Sequence, residues 1–104
     1  MSVITDVVII TSCYEKAIDE FNMILGDIPT VNNQQVRSIG KSDDFGGRKV
    51  SSIRVYGAAF NYVIPMHIIE TAEKVKWKYP KNVAIYIDAE YNDEIIIWTP
   101  DKGL

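Results

Sequence analysis

The sequence predicts one α+β domain, a ferredoxin-like βαββαβ sandwich with an extra C-terminal hairpin strand. Two observations predict this fold. Two amphipathic helical segments alternate with runs of β-branched residues in the order β-α-β-β-α-β-β, and the first six elements match two split βαβ halves. The chain of 104 residues, 47% of them apolar, has the size and composition of a single domain over 1–104. We expect two helices on one face of a mixed, mostly antiparallel sheet, with the other face left to solvent or to a partner.

The first β-α unit has the best-defined pattern. Most residues over 3–10 are β-branched, which predicts a strand. Residues 7–10 are continuously apolar, so this strand is expected to be central and covered on both faces. Ser12, followed three residues later by Glu15, fits a capping box. The apolar spacing behind it predicts a helix, which Gly26 is placed to end in a left-handed conformation.

Proline and glycine divide the rest of the chain. A polar, glycine-rich segment predicts a mobile loop over 40–48. The small residues at 57–59 indicate close packing of another element over a strand, most often the protein's own helix. Pro65 is placed as the first residue of the second helix. The remaining strands, which share apolar alternation or apolar runs, are predicted over 35–39, 49–60, 83–87 and 95–98, the last two forming a hairpin.

Composition excludes several classes of function. The net charge of -3 and the pI of about 5.0 argue against a domain-wide electrostatic grip on nucleic acid or on an anionic membrane. The single cysteine, Cys13, rules out an intramolecular disulfide and a cysteine-based zinc site, and it suits a reducing compartment. We see no signal peptide, and no apolar run approaches the ~20 residues that span a bilayer. We expect a cytoplasmic protein with no cofactor and no membrane contact.

An apolar run near the C-terminus predicts an association surface. Residues 95–98, Ile-Ile-Ile-Trp, need cover on both sides, whereas helices on one face of a sheet can cover only one. Two of the four side chains are then expected to face outward as an apolar patch, which on small proteins commonly marks an association site. We predict a homodimer or another protein partner here, with Trp98 among the contact residues. The alternative is that the C-terminal tail or the long loop folds back as cover.

A basic-aromatic segment, residues 74–81, is the second candidate contact site. It holds four lysines within eight residues, interleaved with two aromatic rings. Lysines that follow phosphates and rings that stack on bases are the ingredients of single-stranded nucleic-acid binding. The alternative is that the lysines complement the dipole at the end of a helix while the rings pack inward. The candidate partner-binding residues here are Lys76, Trp77, Lys78 and Tyr79.

Two further clusters have less specific patterns. The glycines of 46–47, followed by Arg48 and Lys49, are compatible with an anion-binding nest, which makes these two residues candidate ligand-binding residues. The segment matches neither a dinucleotide-binding nor a P-loop motif, and its glycines alternatively serve turn geometry. The carboxylates over 88–94 lack the spacing of a calcium loop, so we expect a solvated hairpin tip and no metal. With the lysines of 74–81 they predict a bipolar domain, which favours a charged partner or antiparallel self-association.

A small enzyme or ligand-binding protein with a pocket at a dimer interface is the alternative. We expect the two helices to run parallel, which would allow Cys13, near the start of the first helix, and His67, near the start of the second, to form a pair. Arg48 and Tyr56 are the other polar candidates. No local cysteine motif supports this chemistry, and cysteine is a favoured core residue, so we predict no catalytic residue.

Three segments of the C-terminal half carry a resemblance. Residues 58–62 (Ala-Ala-Phe-Asn-Tyr), then Trp77 with Pro80, then residues 82–83 (Asn-Val) opening an apolar strand, together resemble small uncharacterised proteins of bacteriophage and bacterial genomes. The resemblance implies an accessory protein that acts by binding, and it assigns no catalytic residue. Our leading interpretation is a non-enzymatic binding or regulatory protein that acts by protein-protein association, of which a phage-type accessory protein is one version.

Overall fold

In the part of the chain that the structure describes, two helices and five strands follow one another in the order that the sequence predicts. The computed structural model describes residues 4–40, 45–49 and 51–101, so residues 41–44 of the predicted loop lie outside the described part. In chain order the elements are β1 (Ile4–Ser12), α1 (Ile18–Gly26), β2 (Arg37–Ser38), β3 (Ile53–Asn61), α2 (Pro65–Lys74), β4 (Ala84–Ala89) and β5 (Ile96–Trp98), with 3-10 turns at Pro29–Val31 and Pro80–Asn82.

The strands form one sheet in the order β2-β3-β1-β4-β5, and every neighbouring pair is antiparallel. The described chain is therefore an α+β fold with two helices and an antiparallel sheet. The expectation of a mixed sheet is wrong in this respect. The helix α1 carries the chain from the central strand β1 to the edge strand β2, and β3 then fills the place between them in the opposite direction.

The two faces of the sheet differ in cover. Along β1, Val7 and Ile9 are buried, whereas Val8 and Ile10 are half-buried. Both helices pack on the side of Val7 and Ile9, which we call the helix-side face, and the opposite side is the outer face. The prediction that β1 is covered on both faces is therefore wrong for the outer face. The core on the helix-side face includes Val7, Ile9, Phe21, Leu25, Ile68, Ile69, Ile85 and Ile87.

The helix α1 begins later than the capping-box pattern predicts. Its first residue is Ile18, and no side chain caps its N-terminus. The hydroxyl of Ser12 instead accepts the backbone N–H of Tyr14 at 3.2 Å, and the carboxylate of Glu15 binds other backbone groups. Gly26 is the last residue of α1, in agreement with its predicted place. In α2, the proline at position 65 is the first helical residue, as predicted.

Side-chain amides fix the connection between α1 and β2. Asn22 exchanges two hydrogen bonds with the backbone of Val36, at 3.2 and 3.0 Å. Gln34 does the same with the backbone of Asn61, the last residue of β3, at 3.0 and 2.7 Å. The prediction of a left-handed conformation at Gly26 is wrong, and the chain adopts that conformation later in this connection, at Asn32 with a φ of 50°. Because an amide side chain carries the donor and acceptor of a peptide group, these residues extend the hydrogen bonding of the sheet.

Candidate functional site

The outer face of the sheet is the candidate functional site. Its central row is centred on Val8, which lies beside Gly57 of β3 and Tyr86 of β4. Arg37 of β2 and Ile97 of β5 extend this row to the two edge strands. The rows on either side hold Ala59, Asp6 and Asp88 in one direction and Val55, Ile10 and Ala84 in the other. The face is therefore apolar at its centre and charged only at a few positions.

The apolar run 95–98 contributes to both faces. Ile95 and Ile97 are 55% and 54% exposed, so the prediction that two of these side chains face outward is confirmed. Trp98 is 2% exposed and pairs with the buried Ile85, which places it on the helix-side face. Trp98 therefore offers no surface to a partner on the outer face, and its prediction as a contact residue there is wrong. Neighbouring residues of a strand point to opposite faces, so Trp98 points away from the outer face on which Ile97 is exposed.

An open depression of about 440 Å³ lies in the outer face between β1 and β4. The apolar surface continues beyond it across β3, because Ile39 lies over Gly57. A Cβ atom at Gly57 would come within 3.2 Å of the Cδ1 atom of Ile39. The close packing predicted from the small residues at 57–59 is thus made at Gly57 by a side chain that follows β2. The depression is lined by Asp6, Val8, Ile10, Tyr86, Asp88 and Ile95.

Two carboxylates face each other at one end of the outer face. Asp6 of β1 lies directly opposite Asp88 of β4, and both residues are exposed. Like charges at directly opposed positions of neighbouring strands destabilise the pair. Of the described neighbours of this pair, Ala59, Val8, Tyr86 and Ile95 carry no charge, whereas Glu90, two residues beyond Asp88 and opposite Ile4, carries a third carboxylate. None of these described neighbours carries a positive charge that would offset the repulsion between the two carboxylates.

Among the described strand residues, Arg37 is the basic residue of the same face. It pairs with Gly57 at the β2 edge and is exposed. The order of the strands puts it on one side of β1 and Asp88 on the other. Sequence reasoning did not single out Arg37 or Asp6, and it placed Asp88 only in the solvated hairpin tip over 88–94. The signal for this site in the sequence is a charged residue, Asp6, inside the apolar run of the first strand. Which residues lie beside Asp6 depends on the register of the strands, which the sequence does not specify.

The basic-aromatic segment is anchored by a buried carboxylate. Glu15 is 5% exposed, and its Oε1 atom accepts the backbone N–H of Tyr79 at 2.8 Å. Its Oε2 atom accepts the backbone N–H groups of Lys78 at 3.2 Å, Lys16 at 3.2 Å and Ala17 at 3.3 Å. One carboxylate therefore holds the start of α1 and the backbone of the segment together.

The rings of the segment have different environments. The indole N–H of Trp77 donates to the Ala72 carbonyl near the end of α2 at 3.0 Å, and its ring lies 6.4 Å from that of Phe21. Trp77 therefore packs against the core, in agreement with the alternative stated above. Tyr79 is half-buried, and its ring lies 6.5 Å from that of Tyr14, which is 70% exposed. The lysines at 76 and 78 are exposed, and the latter's Nζ atom lies 5.7 Å from the Tyr79 ring.

The candidate ligand-binding residues lie in an exposed bend. Residues 45–49 are exposed, which includes Arg48 and Lys49. Gly47 has a φ of 91°, a conformation that glycine adopts at little cost. This observation agrees with the turn-geometry alternative for the two glycines. The structure brings neither Arg48 nor Lys49 into a described cavity together with a second candidate residue.

The helices separate the two residues of the conceivable Cys–His pair. Cys13 precedes α1 and donates its backbone N–H to the carbonyl of Ser52 at 2.8 Å. His67 lies in a depression beside Ile24 and Asp27, at the opposite end of α1. The nine residues of α1 place these ends about 13 Å apart. The expectation of parallel helices is wrong, because β1 and β3, which precede the two helices, are antiparallel.

Tyr56 and Glu90, the remaining titratable candidates, are engaged in packing and in backbone hydrogen bonding. Tyr56 lies on the helix-side face opposite Ile9. Burial raises the pKa of the Tyr56 phenol above its ordinary value of 10.0, Arg54 opposes that rise, and acidic residues of the α1 region add to it. In the hairpin turn, Glu90 accepts the backbone N–H of Ile4 at 3.1 Å through its Oε1 atom. Among the described residues, no group of three or more His, Cys, Asp or Glu side chains is placed to hold a metal ion.

Comparison of the chain with protein-family models, with curated proteins and with solved structures gives no match. Within the described ranges, neither helix is long and apolar enough to cross a membrane.

Proposed function

We propose that this protein is a small non-enzymatic binding protein that acts by protein-protein association, and that the outer face is its contact surface. The observation that carries the proposal is the bare, apolar centre of this face. Val8 and Ile10 are only half-covered, and the side chain of Ile97 is more than half exposed. Contiguous exposed apolar surface of this kind marks association sites on small proteins.

The path of the chain supports a ferredoxin-like arrangement. Both helices of such a fold lie on one face of the sheet, which leaves the other face bare. The helices α1 and α2 lead to β2 and β4, which flank the central pair β3-β1, and β5 is added beside β4. We infer two interleaved split β-α-β units with both helices on the same face. An antiparallel sheet tolerates one solvated face when that face is polar. Here the centre is apolar, so a covering partner stabilises it.

The shape of the outer face favours a protein over a small molecule. Small-molecule sites are concave, enclose most of the ligand, and carry several convergent polar groups. The depression between β1 and β4 is open, and its charged groups are the two carboxylates Asp6 and Asp88 at one end. The residues predicted for an enzyme, Cys13 and His67 among them, lie apart. The phage-type role stays a prediction that only the resemblance supports.

The experiment places a photo-crosslinking amino acid at Ile97 in the protein as it is made in its own cells. The matched control carries the same amino acid at Met23, an exposed residue of α1 on the other side of the molecule. We expect a covalent adduct from position 97 and none from position 23, and the mass of the adduct identifies the partner's class. Equal adducts from both positions, or none from position 97, would contradict the proposal.

A second candidate function is single-stranded nucleic-acid binding by the basic-aromatic segment. The observation that favours it is the exposed ring of Tyr14 beside Tyr79, with the exposed Lys78 next to the Tyr79 ring. Exposed rings stack on bases, and each neutralised phosphate of a single strand contributes a slope of about −0.7 to the dependence of log affinity on log salt. Fluorescence anisotropy with a labelled oligonucleotide at low salt tests it. Binding that is absent at low salt, or unchanged in Tyr14→Ala, would remove this candidate.

A further inference from the structure

We propose that a cleft lined by the exposed rings of Tyr62 and Tyr91, which we call the tyrosine cleft, binds a proline-rich segment of a partner protein in which an arginine or lysine stands three residues from a proline. The cleft lies at one end of β1 and β4 and is separate from the outer face. The inference therefore goes beyond the proposed function and does not depend on it. Three features lead to it: the aromatic walls, the fixed backbone around them, and an acidic depression that adjoins the cleft.

The tyrosine cleft is small and has aromatic walls. Its volume is about 260 Å³, and its floor is the buried cross-strand pair of Thr5 and Ala89, which lies on the helix-side face. The side chains of Tyr62 and Tyr91 are 53% and 70% exposed. The other residues that line the cleft are Ile64, Pro65 and Asn92. Grooves with aromatic walls bind proline-rich segments, because such a segment is already extended and loses little conformational entropy on binding.

Backbone interactions fix the walls of the tyrosine cleft. Tyr62 has a φ of 63°, a left-handed conformation that is uncommon for a bulky residue. The hydroxyl of Thr5 donates to the carbonyl of Val63, the next residue, at 2.5 Å. The backbone N–H of Asn92 donates to the carbonyl of Ala89 at 3.0 Å, which closes the turn after β4. A site whose walls are fixed before the ligand arrives loses less free energy in ordering them.

An acidic depression adjoins the tyrosine cleft. Its volume is about 490 Å³, and it shares Tyr91 and Asn92 with the cleft. The exposed residues Asp93 and Glu94 line it, and no lysine or arginine is among the described residues that line either depression. A cationic side chain is therefore complementary to the acidic depression, whereas an anionic ligand is repelled. This complementarity selects a segment that carries an arginine or lysine close to its proline.

The geometry of the polyproline II helix gives the spacing of the two ligand residues. The helix has three residues per turn and rises about 3.1 Å per residue, so residues three apart lie on the same side, about 9 Å from each other. Its backbone carbonyls make no internal hydrogen bonds and can accept from the side-chain amide of Asn92, the exposed residue between the two depressions. A proline in the tyrosine cleft thus leaves the basic residue to the acidic depression.

Fluorescence anisotropy of a labelled peptide, titrated with the full chain up to roughly 1 mM, tests the proposal. The probe is Arg-Ala-Ala-Pro-Ala-Ala-Pro, whose arginine and prolines fall on one side of a polyproline II helix, and the reversed sequence tests the opposite chain direction. We expect saturable binding of at least one of the two. Replacing both prolines by alanine, or the arginine by glutamate, should weaken binding at least ~10-fold. Binding of neither probe, or undiminished binding without the prolines, would overturn the proposal.

Variants of the protein locate the binding site. Tyr91→Ala should weaken binding at least ~10-fold, because truncation of a central aromatic contact residue removes much of the binding energy. Tyr14→Ala is the matched control, because Tyr14 is also 70% exposed but lies beside the basic-aromatic segment, and it should leave binding unchanged. Equal losses from the two variants would contradict the assignment of the site.

A charge reversal tests the acidic depression separately. Glu94→Lys should weaken binding of the arginine probe about 3-fold and should not weaken binding of the same probe with alanine in place of arginine. A variant that had merely lost its fold would bind neither peptide. Glu70→Lys, at an exposed position on α2, is the matched control and should affect the two peptides alike. An equal loss for both peptides in Glu94→Lys would remove the basic residue from the proposed ligand.

Two results separate this inference from the proposed function. Peptide binding that is lost in Tyr91→Ala, together with no adduct from the crosslinker at position 97, would remove association through the outer face and leave the tyrosine cleft in place. An adduct from position 97, together with no binding of either probe, would do the reverse.

Discussion

The two faces of the sheet are built by the same strands and differ in what covers them. On β1, Ile9 is buried under the helices, whereas the next residue, Ile10, is half-buried on the outer face. On the last strand, Trp98 and Ile97 repeat the contrast. Two helices supply cover for one face only, yet the sequence supplies apolar residues for both. The difference teaches that the contact surface is indicated by apolar residues at the strand positions that the helices do not cover, rather than by any motif.

The largest expected effect is a difference in the free energy of unfolding between one substitution on each face. Phe21 is fully buried against the helix-side face, so Phe21→Ala should lower the free energy of unfolding by about 3–5 kcal/mol through lost contacts and a cavity. Ile97→Ala on the outer face should lower it by no more than about 1 kcal/mol in dilute solution, while it weakens association. Chemical denaturation at low protein concentration checks both values. Similar losses for the two variants would mean that the outer face belongs to the folding core.

The next effect concerns the carboxylate that anchors the basic-aromatic segment. Glu15→Ala removes the acceptor of four backbone N–H groups, and we expect it to lower the free energy of unfolding by about 2–4 kcal/mol. Glu94→Ala, in the exposed hairpin, is the matched control and should change it by less than about 0.5 kcal/mol. Denaturation curves of the two variants measure the difference. Equal stability would show that water replaces the carboxylate at no cost.

The smallest effect is a dependence on alkaline pH. The raised pKa of Tyr56 means that the folded protein holds the phenol proton more tightly than the unfolded chain. The resulting stability is fully present below the unfolded pKa of about 10 and is lost as pH rises through the folded pKa. Tyr56→Phe should therefore flatten the fall in stability above about pH 10, and Tyr91→Phe, at an exposed site, should not. Unfolding measured between pH 8 and pH 11 compares them, and identical profiles for the two variants would contradict this assignment.

Much of the fold could be predicted from local pattern. The order of elements follows from runs of β-branched residues and from helical spacing, and Pro65 marks the first residue of α2 because its fixed φ suits that position. The start of α1 could not be predicted, because the long-range hydrogen bonds that Glu15 accepts from the backbone N–H groups of residues 78 and 79 compete with the local capping box. Local signals succeed where no distant group offers a better partner.

Less of the candidate site could be predicted. The outward pair in the run 95–98 follows from alternation on a strand, and it was found from the sequence. Alternation alone does not say which of two neighbouring residues faces outward, and Trp98 lies on the helix-side face because it pairs with the buried Ile85. The charged positions Asp6, Asp88 and Arg37 form one arrangement only through the register of β1, β4 and β2, which no local pattern specifies.

Isoleucine methyl spectra of the full chain, recorded over a dilution series, test the association surface most directly. Isoleucines lie on both faces, so each sample contains its own control. The methyl resonances of Ile10 and Ile97 on the outer face should shift with protein concentration or on transfer into an extract of its own cells, while those of Ile68 and Ile85 in the core should stay fixed. Outer-face resonances that stay fixed at every concentration, both in the purified protein and in an extract of its own cells, would contradict the account.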